Sequence, residues 1–143
     1  MRNLVCTLVG NLGISVHTEY PPSDEEWEDM IQVVRKSDIA NFRGICFSDG
    51  GSPNSAQRKR MNDCLRGRAP ATAVVTRSAL ARGVVIAMGW FNPNIRAFSP
   101  DEIDQALRHL KVSESEFGII KTEVRNLAVK LGKPSLLSIP KNL

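Results

Sequence analysis

The chain has 143 residues, 42% hydrophobic and 24% charged, with a formal charge of +4. This suits one globular domain with its own core and argues against a second, and the mild positive charge allows an acidic partner without requiring nucleic acid or a membrane surface. Cys6, Cys46 and Cys64, odd in number, sit in apolar or helical patterns without CxxC spacing, so no disulfide framework is expected and they read as reduced, buried thiols in a cytoplasmic protein. No run of about 18 apolar residues is present to span a bilayer, and Gly10, Asn11 and Gly13 interrupt the N-terminal run that would otherwise imitate a signal peptide.

Residues 4–9 and 12–17 are extended runs separated by Gly10 and Asn11, which suit a tight hairpin. Ser23 with Glu26 then forms a capping box, and Trp27, Met30, Ile31 and Val34 recur at helical spacing, predicting a first helix to about Ser37. The pattern next predicts a third strand over 42–47, a second helix over 52–65 and a fourth strand over 71–76. Residues 78–90 carry two patterns: Ala81, Val84, Val85 and Met88 fit a helix, while the dense run 84–87 and two glycines fit a strand. The helix is preferred. A turn at Asn92, Pro93 and Asn94 leads to a short edge strand, 95–98, and Ser99, Pro100 and Glu102 open a fourth helix that buries Ile103, Ala106, Leu107 and Leu110. Ser113 with Glu116 starts the last helix, whose Phe117, Ile120, Val124, Leu127, Ala128 and Leu131 form one apolar stripe ending at Gly132 and Pro134. That stripe is expected to pack on the domain or on a second copy, as a homodimer through the C-terminal helix.

A hairpin followed by alternating helices and strands predicts an α/β fold, a mixed sheet of four to five strands, parallel after the hairpin, with helices packed on it. The central stretch is 42–65. There Ile45, Cys46 and Phe47 end in a turn at Gly50 and Gly51, and Ser52 with Pro53 reads as a helix start. Such a corner is expected to present unpaired amides and the positive end of a helix dipole to solvent, which favours an anion. Ser48, Asp49, Ser52, Asn54, Ser55 and Gln57 crowd polar groups at the carboxyl end of this strand, where open α/β sheets place their sites.

The order strand, strand, helix, strand, helix, strand, helix, strand, helix resembles the STAS-like family of the bacterial anti-sigma factor antagonists, over roughly residues 3–111. The resemblance implies a STAS-like domain over 1–111, with 112–132 an added amphipathic helix of the same domain and 133–143 a tail. In that family the loop after the third strand carries a phosphoacceptor, usually within Asp-Ser-Ser/Thr-Gly. Here it reads Ser48-Asp49-Gly50-Gly51-Ser52-Pro53-Asn54-Ser55, with Asp49 and Ser52 the nearest counterparts. The implied function is bacterial-type signalling: a non-enzymatic regulatory or scaffold module that binds a protein partner through the edge between strand 3 and helix 2, with Ser52 as phosphoacceptor.

The residue types argue in the same direction. His17 and His109, the only two histidines, fall late in a strand and late in a helix and are read as surface or helix-end residues rather than catalytic bases. The cysteines and histidines match no compact zinc spacing, and neither GxxxxGK[ST] nor GxGxxG is present, so no metal, cofactor or catalytic role is assigned. Arg58, Lys59 and Arg60, with Arg66 and Arg68, read first as a solvated helix face and second as a contact for an acidic partner. No aromatic side chain is interleaved with them, so nucleic acid is not the expected ligand. Trp90 and Phe91 are read as core. The alternative function is a small ligand or anion, such as a phosphate, nucleotide or lipid headgroup, bound at the Gly50-Gly51 turn.

Overall fold

The structure, a computed structural model, describes residues 2–89 and 93–132. β1 (Leu4–Val9) and β2 (Leu12–His17) form an antiparallel hairpin whose tip uses Gly10 at φ 59°. β2, β3 (Arg43–Ser48), β4 (Thr72–Thr76) and β5 (Ile95–Phe98) then run parallel, giving the sheet order β1-β2-β3-β4-β5. The helices are α1 (Asp24–Lys36), α2 (Ser55–Cys64), α3 (Ala79–Gly89), α4 (Ile103–His109) and α5 (Phe117–Lys130). This is the α/β fold expected from the pattern. Right-handed crossovers between successive parallel neighbours put α1, α2 and α3 on one face, while α4 and α5 cover the other.

The two faces differ in chemistry. Toward α4 and α5 the strands send Val5, Ile14, Val16, Ile45, Phe47, Val75 and Phe98, which meet Ile103, Leu107, Phe117, Ile120, Val124 and Leu127 in the main core. Each such buried side chain contributes about 1.5–3 kcal/mol. The apolar stripe of α5 therefore packs on its own domain. Strand alternation turns Gly13, Ser15, His17, Gly44, Cys46, Ser48, Thr72 and Thr76 toward the other face. The small residues there make room for Phe42, because a Cβ on Gly13 would lie 2.8 Å from its ring. Two smaller clusters, Leu4 with Trp27 and Ile31, and Val34 with Phe42 and Leu65, seat α1 and α2.

Three expectations need correction. The second helix starts at Ser55 rather than Ser52, since Asn54 is its N-cap: Asn54 Oδ1 accepts the Gln57 N–H at 2.8 Å, and Gln57 Oε1 accepts the Asn54 N–H at 3.0 Å. Asparagine caps as well as serine, and this reciprocal pair satisfies donors at both ends of the first turn. His17 is buried rather than on the surface. The last helix opens with a 3-10 turn, Glu114–Glu116, before α5 begins. Within 78–90 the preferred helix is found as α3, Ala79–Gly89, whereas Trp90, Phe91 and the tail 133–143 lie outside the described residues.

Candidate functional site

The turn after β3 is closed by its own chain. The Asp49 amide donates to His17 O at 3.2 Å and the Gly51 amide to Thr18 O at 2.9 Å. The Gly50 amide donates to Ser48 Oγ at 3.0 Å, and that hydroxyl donates in turn to Gly51 O at 3.0 Å. Gly50 has φ 123°, closed to other residues. Gly51 serves a close backbone approach: a Cβ there would lie 2.6 Å from Thr18 O and nearer still to Tyr20 O. The expected cradle of free amides is thus corrected. Asp49, Gly50 and Gly51 have their N–H groups taken up in joining the β2 and β3 exits.

The remaining predicted site residues are also engaged or simply exposed. Asp49 faces Arg77 at 3.3 Å, Arg58 donates to Pro53 O at 3.0 Å, and Lys59 pairs with Asp63 at 2.9 Å. Arg60 grips both carboxylate oxygens of Glu28 at 2.7 Å. These exposed pairs each add at most about 1 kcal/mol. Gln57, buried, donates to Pro22 O and to Asp24 Oδ1, and its carbonyl accepts the Trp27 Nε1–H at 2.8 Å. The N-termini of α1 and α2 are therefore tied together. Ser52 and Ser55 are exposed beside this tie. A similar knot holds the start of β1, where the Glu26 carboxylate accepts the amides of Asn3, Leu4 and Ser23. Burial would raise that carboxyl, but these bonds hold it below its ordinary value.

At the carboxyl ends of β2, β3 and β4, His17, Ser48 and Thr76 stand in one row, all buried. Thr76 Oγ1 accepts the Ser78 N–H, so Ser48 and Thr76 both support turns. His17 Nδ1 has no hydrogen-bond partner among the described residues. Burial draws the His17 pKa down to about 4, with the Glu26 charge opposing the shift, so the ring is neutral at pH 7. Deeper in the same face, burial pushes the Cys46 thiol up to about 11, against a Ser15 hydrogen bond, which leaves it unreactive. His109 packs at a tilt against Phe98, with ring centroids 5.9 Å apart and the planes at 46°. Among the described residues no three His, Cys, Asp or Glu side chains converge as a metal set requires.

Among the described residues, three of the exposed large apolar side chains fall together on α3, outside the residues the sequence marked. Val85 points inward, while Leu80 is 81% exposed, Ile86 61% and Val84 54%. Ala79 and Gly83 are exposed on the same outer side, and a Cβ at Gly83 would meet nothing within 4 Å. The only charge on the helix, Arg82, directs a guanidinium N–H to Thr76 O at 3.0 Å. Ser78 anchors the helix start, its hydroxyl accepting the Ala81 N–H at 3.1 Å. A helix apolar on its inner and outer sides alike is one that expects cover. The signal was present in the sequence as the run ALARGVVIAMG with a single charge, and it was read only for helix against strand.

Compared with known protein families, curated proteins and solved structures, the chain matches none. No helix of the described residues is long and apolar enough to cross a membrane.

Proposed function

We propose that the chain is a non-enzymatic regulatory or scaffold module that binds a protein partner, and that its docking surface is the outer face of α3 rather than the edge between β3 and α2. The observation that carries this reading is the exposure of Leu80, Val84 and Ile86 on a helix whose outer face has no charged side chain. Isolated exposed apolar residues are ordinary, but three on one short helix form a patch of the kind that marks protein contacts. The STAS-like element order supports the same class of function. Ser52, exposed and outside the cap, stays open to modification, and a phosphate there would stand close to Arg58 at the start of α2.

The test is affinity capture from native extract with three forms of the chain: wild type, Leu80→Ser with Val84→Ser, and Arg58→Ala with Lys59→Ala. A protein recovered with the first and third but lost with the second supports the α3 surface. Loss with the third alone returns the function to the β3–α2 edge.

A second reading is a small polar ligand at the strand ends, and the unpartnered His17 Nδ1 supports it, since a buried polar atom without a bond costs about 1–3 kcal/mol. Native mass spectrometry of the purified chain distinguishes the two. A stoichiometric metabolite lost in His17→Gln, with no protein captured, favours the ligand.

A further inference from the structure

The charge of this chain is unevenly distributed. Between Cys64 and Pro100 it carries Arg66, Arg68, Arg77, Arg82 and Arg96 and no Lys, Asp or Glu, whereas the other residues hold fourteen of the nineteen basic and all fifteen acidic side chains. The segment is therefore +5 and the remainder −1. It is also one continuous part of the fold, the half of the sheet made by β4, α3 and β5, with α3 lying over both strands. Arg66, Arg68 and Arg96 are exposed, and the described residues give none of them an ion pair. Arg77, at the entrance of α3, shares only Asp49. α3, whose one charge is Arg82, thus begins beside Arg77 in a positive segment that no acidic residue of its own offsets. Arg96, in register with Ala73, turns to the α4 side of the sheet, over the Phe98 ring.

We propose that the partner received by α3 is an acidic amphipathic helix. The inference rests on α3 being the docking face. Charge argues against a second copy, because a two-fold contact would bring two +5 halves together. Shape argues against a lipid surface. Helical spacing puts Ala79 and Gly83 on one line, one turn apart, with Leu80 and Val84 on one side of it and Ile86 on the other. The outermost line is low and its flanks are high, a shallow groove that admits the ridge of another helix closely. A helix that inserts into lipid gains from large apolar groups at its outermost line, and here that line holds small ones. The partner helix then brings an apolar seam to the groove and carboxylates to Arg77 and Arg82.

The test uses the full chain and defined probes. A synthetic helical peptide with an alanine and leucine seam flanked by glutamates is titrated by fluorescence anisotropy, beside the same seam flanked by lysines and beside phosphatidylserine vesicles. The expected result is binding of the glutamate peptide alone, weakened by added salt. Arg77→Gln with Arg82→Gln should lower that affinity roughly tenfold. Gly83→Leu fits the fold, since nothing lies within 4 Å of its Cβ, and should also lower it roughly tenfold by filling the groove. Equal binding of the lysine peptide, or no binding of the glutamate peptide, overturns the proposal. Vesicle binding strengthened by Gly83→Leu overturns it in favour of lipid, and self-association removed by Gly83→Leu overturns it in favour of a second copy. A partner captured from extract that is lost with Leu80→Ser and Val84→Ser, yet is indifferent to salt and to the arginine changes, leaves the docking face standing and rejects only the acidic chemistry.

Discussion

α2 and α3 are consecutive crossover helices on one face of one sheet, and their outer surfaces are opposites. α2 shows solvent a run of charges, yet Arg58, Lys59 and Arg60 each already hold an oxygen of this chain, and Gln57 ties the helix to α1. α3 shows solvent Leu80, Val84 and Ile86, and none of the described residues covers them. A charged side chain at a surface is easily satisfied by a neighbour or by water. An apolar one has no such option, so exposed apolar area is the better pointer to a missing partner.

If the corner between β3 and α2 is structural, its tightest residue should be intolerant of the smallest change. Gly51→Ala places a methyl group against Thr18 O and Tyr20 O, and the turn must open, losing the Gly51 and Gly50 hydrogen bonds with it. A loss of about 3–5 kcal/mol is expected from urea unfolding, by the mechanism of overpacking with unmade bonds. A loss below about 1 kcal/mol would mean that the corner is loose enough to accept a ligand, and the contrast with α3 would fail.

The buried row beneath that corner makes a pH prediction. The His17 pKa falls from 6.5 to about 4 on folding, so between those values the unfolded chain binds more protons than the folded one. Stability is therefore complete above about pH 6.5 and declines as pH falls toward 4, by about 3 kcal/mol in total at about 1.4 kcal/mol per unit. Urea midpoints of wild type and His17→Gln at neutral pH and near pH 4.5 isolate this part from the carboxylates, which titrate in both. An unchanged slope in the variant would remove His17 from the account and, with it, the second functional reading.

Much of this was legible beforehand, and the misses share a cause. The hairpin, the parallel strands and α1, α4 and α5 follow from period and capping residues, which act over one or two turns. The start of α2 was misplaced because Ser52-Pro53 and Asn54 both signal a cap, and only the reciprocal bond of Asn54 with Gln57 decides between them. The burial of His17 depends on α1 and the Gly51 turn closing over the strand end, contacts that the local pattern does not contain. Likewise the amides of Asp49 and Gly51 find partners on the far side of α1 in sequence, so a turn that reads as open is closed. The outward side of α3 needed the direction of Val85, which the sequence leaves ambiguous.

A smaller effect separates the two serine and asparagine candidates. Asn54→Ala removes the cap and should cost about 0.5–2 kcal/mol, whereas Ser52→Ala should stay within about 0.5 kcal/mol. Equal costs would restore Ser52 as the helix start and the corner as an exposed helix terminus.

The smallest stability effect is expected on α3, and it is the one that defines the contrast. Leu80 and Val84 lose little contact area on replacement by serine because most of each side chain already lies in water. Leu80→Ser with Val84→Ser should therefore change unfolding stability by no more than about 0.5 kcal/mol per site beyond helix propensity, with the melting curve still cooperative. A core role would instead cost about 2–5 kcal/mol per leucine, the scale seen when buried side chains are truncated. The same variant should lose partner capture altogether. Stability kept with binding lost assigns these residues to a surface, whereas a large stability loss would mean that α3 is covered by its own chain and that its apolar face belongs to the fold.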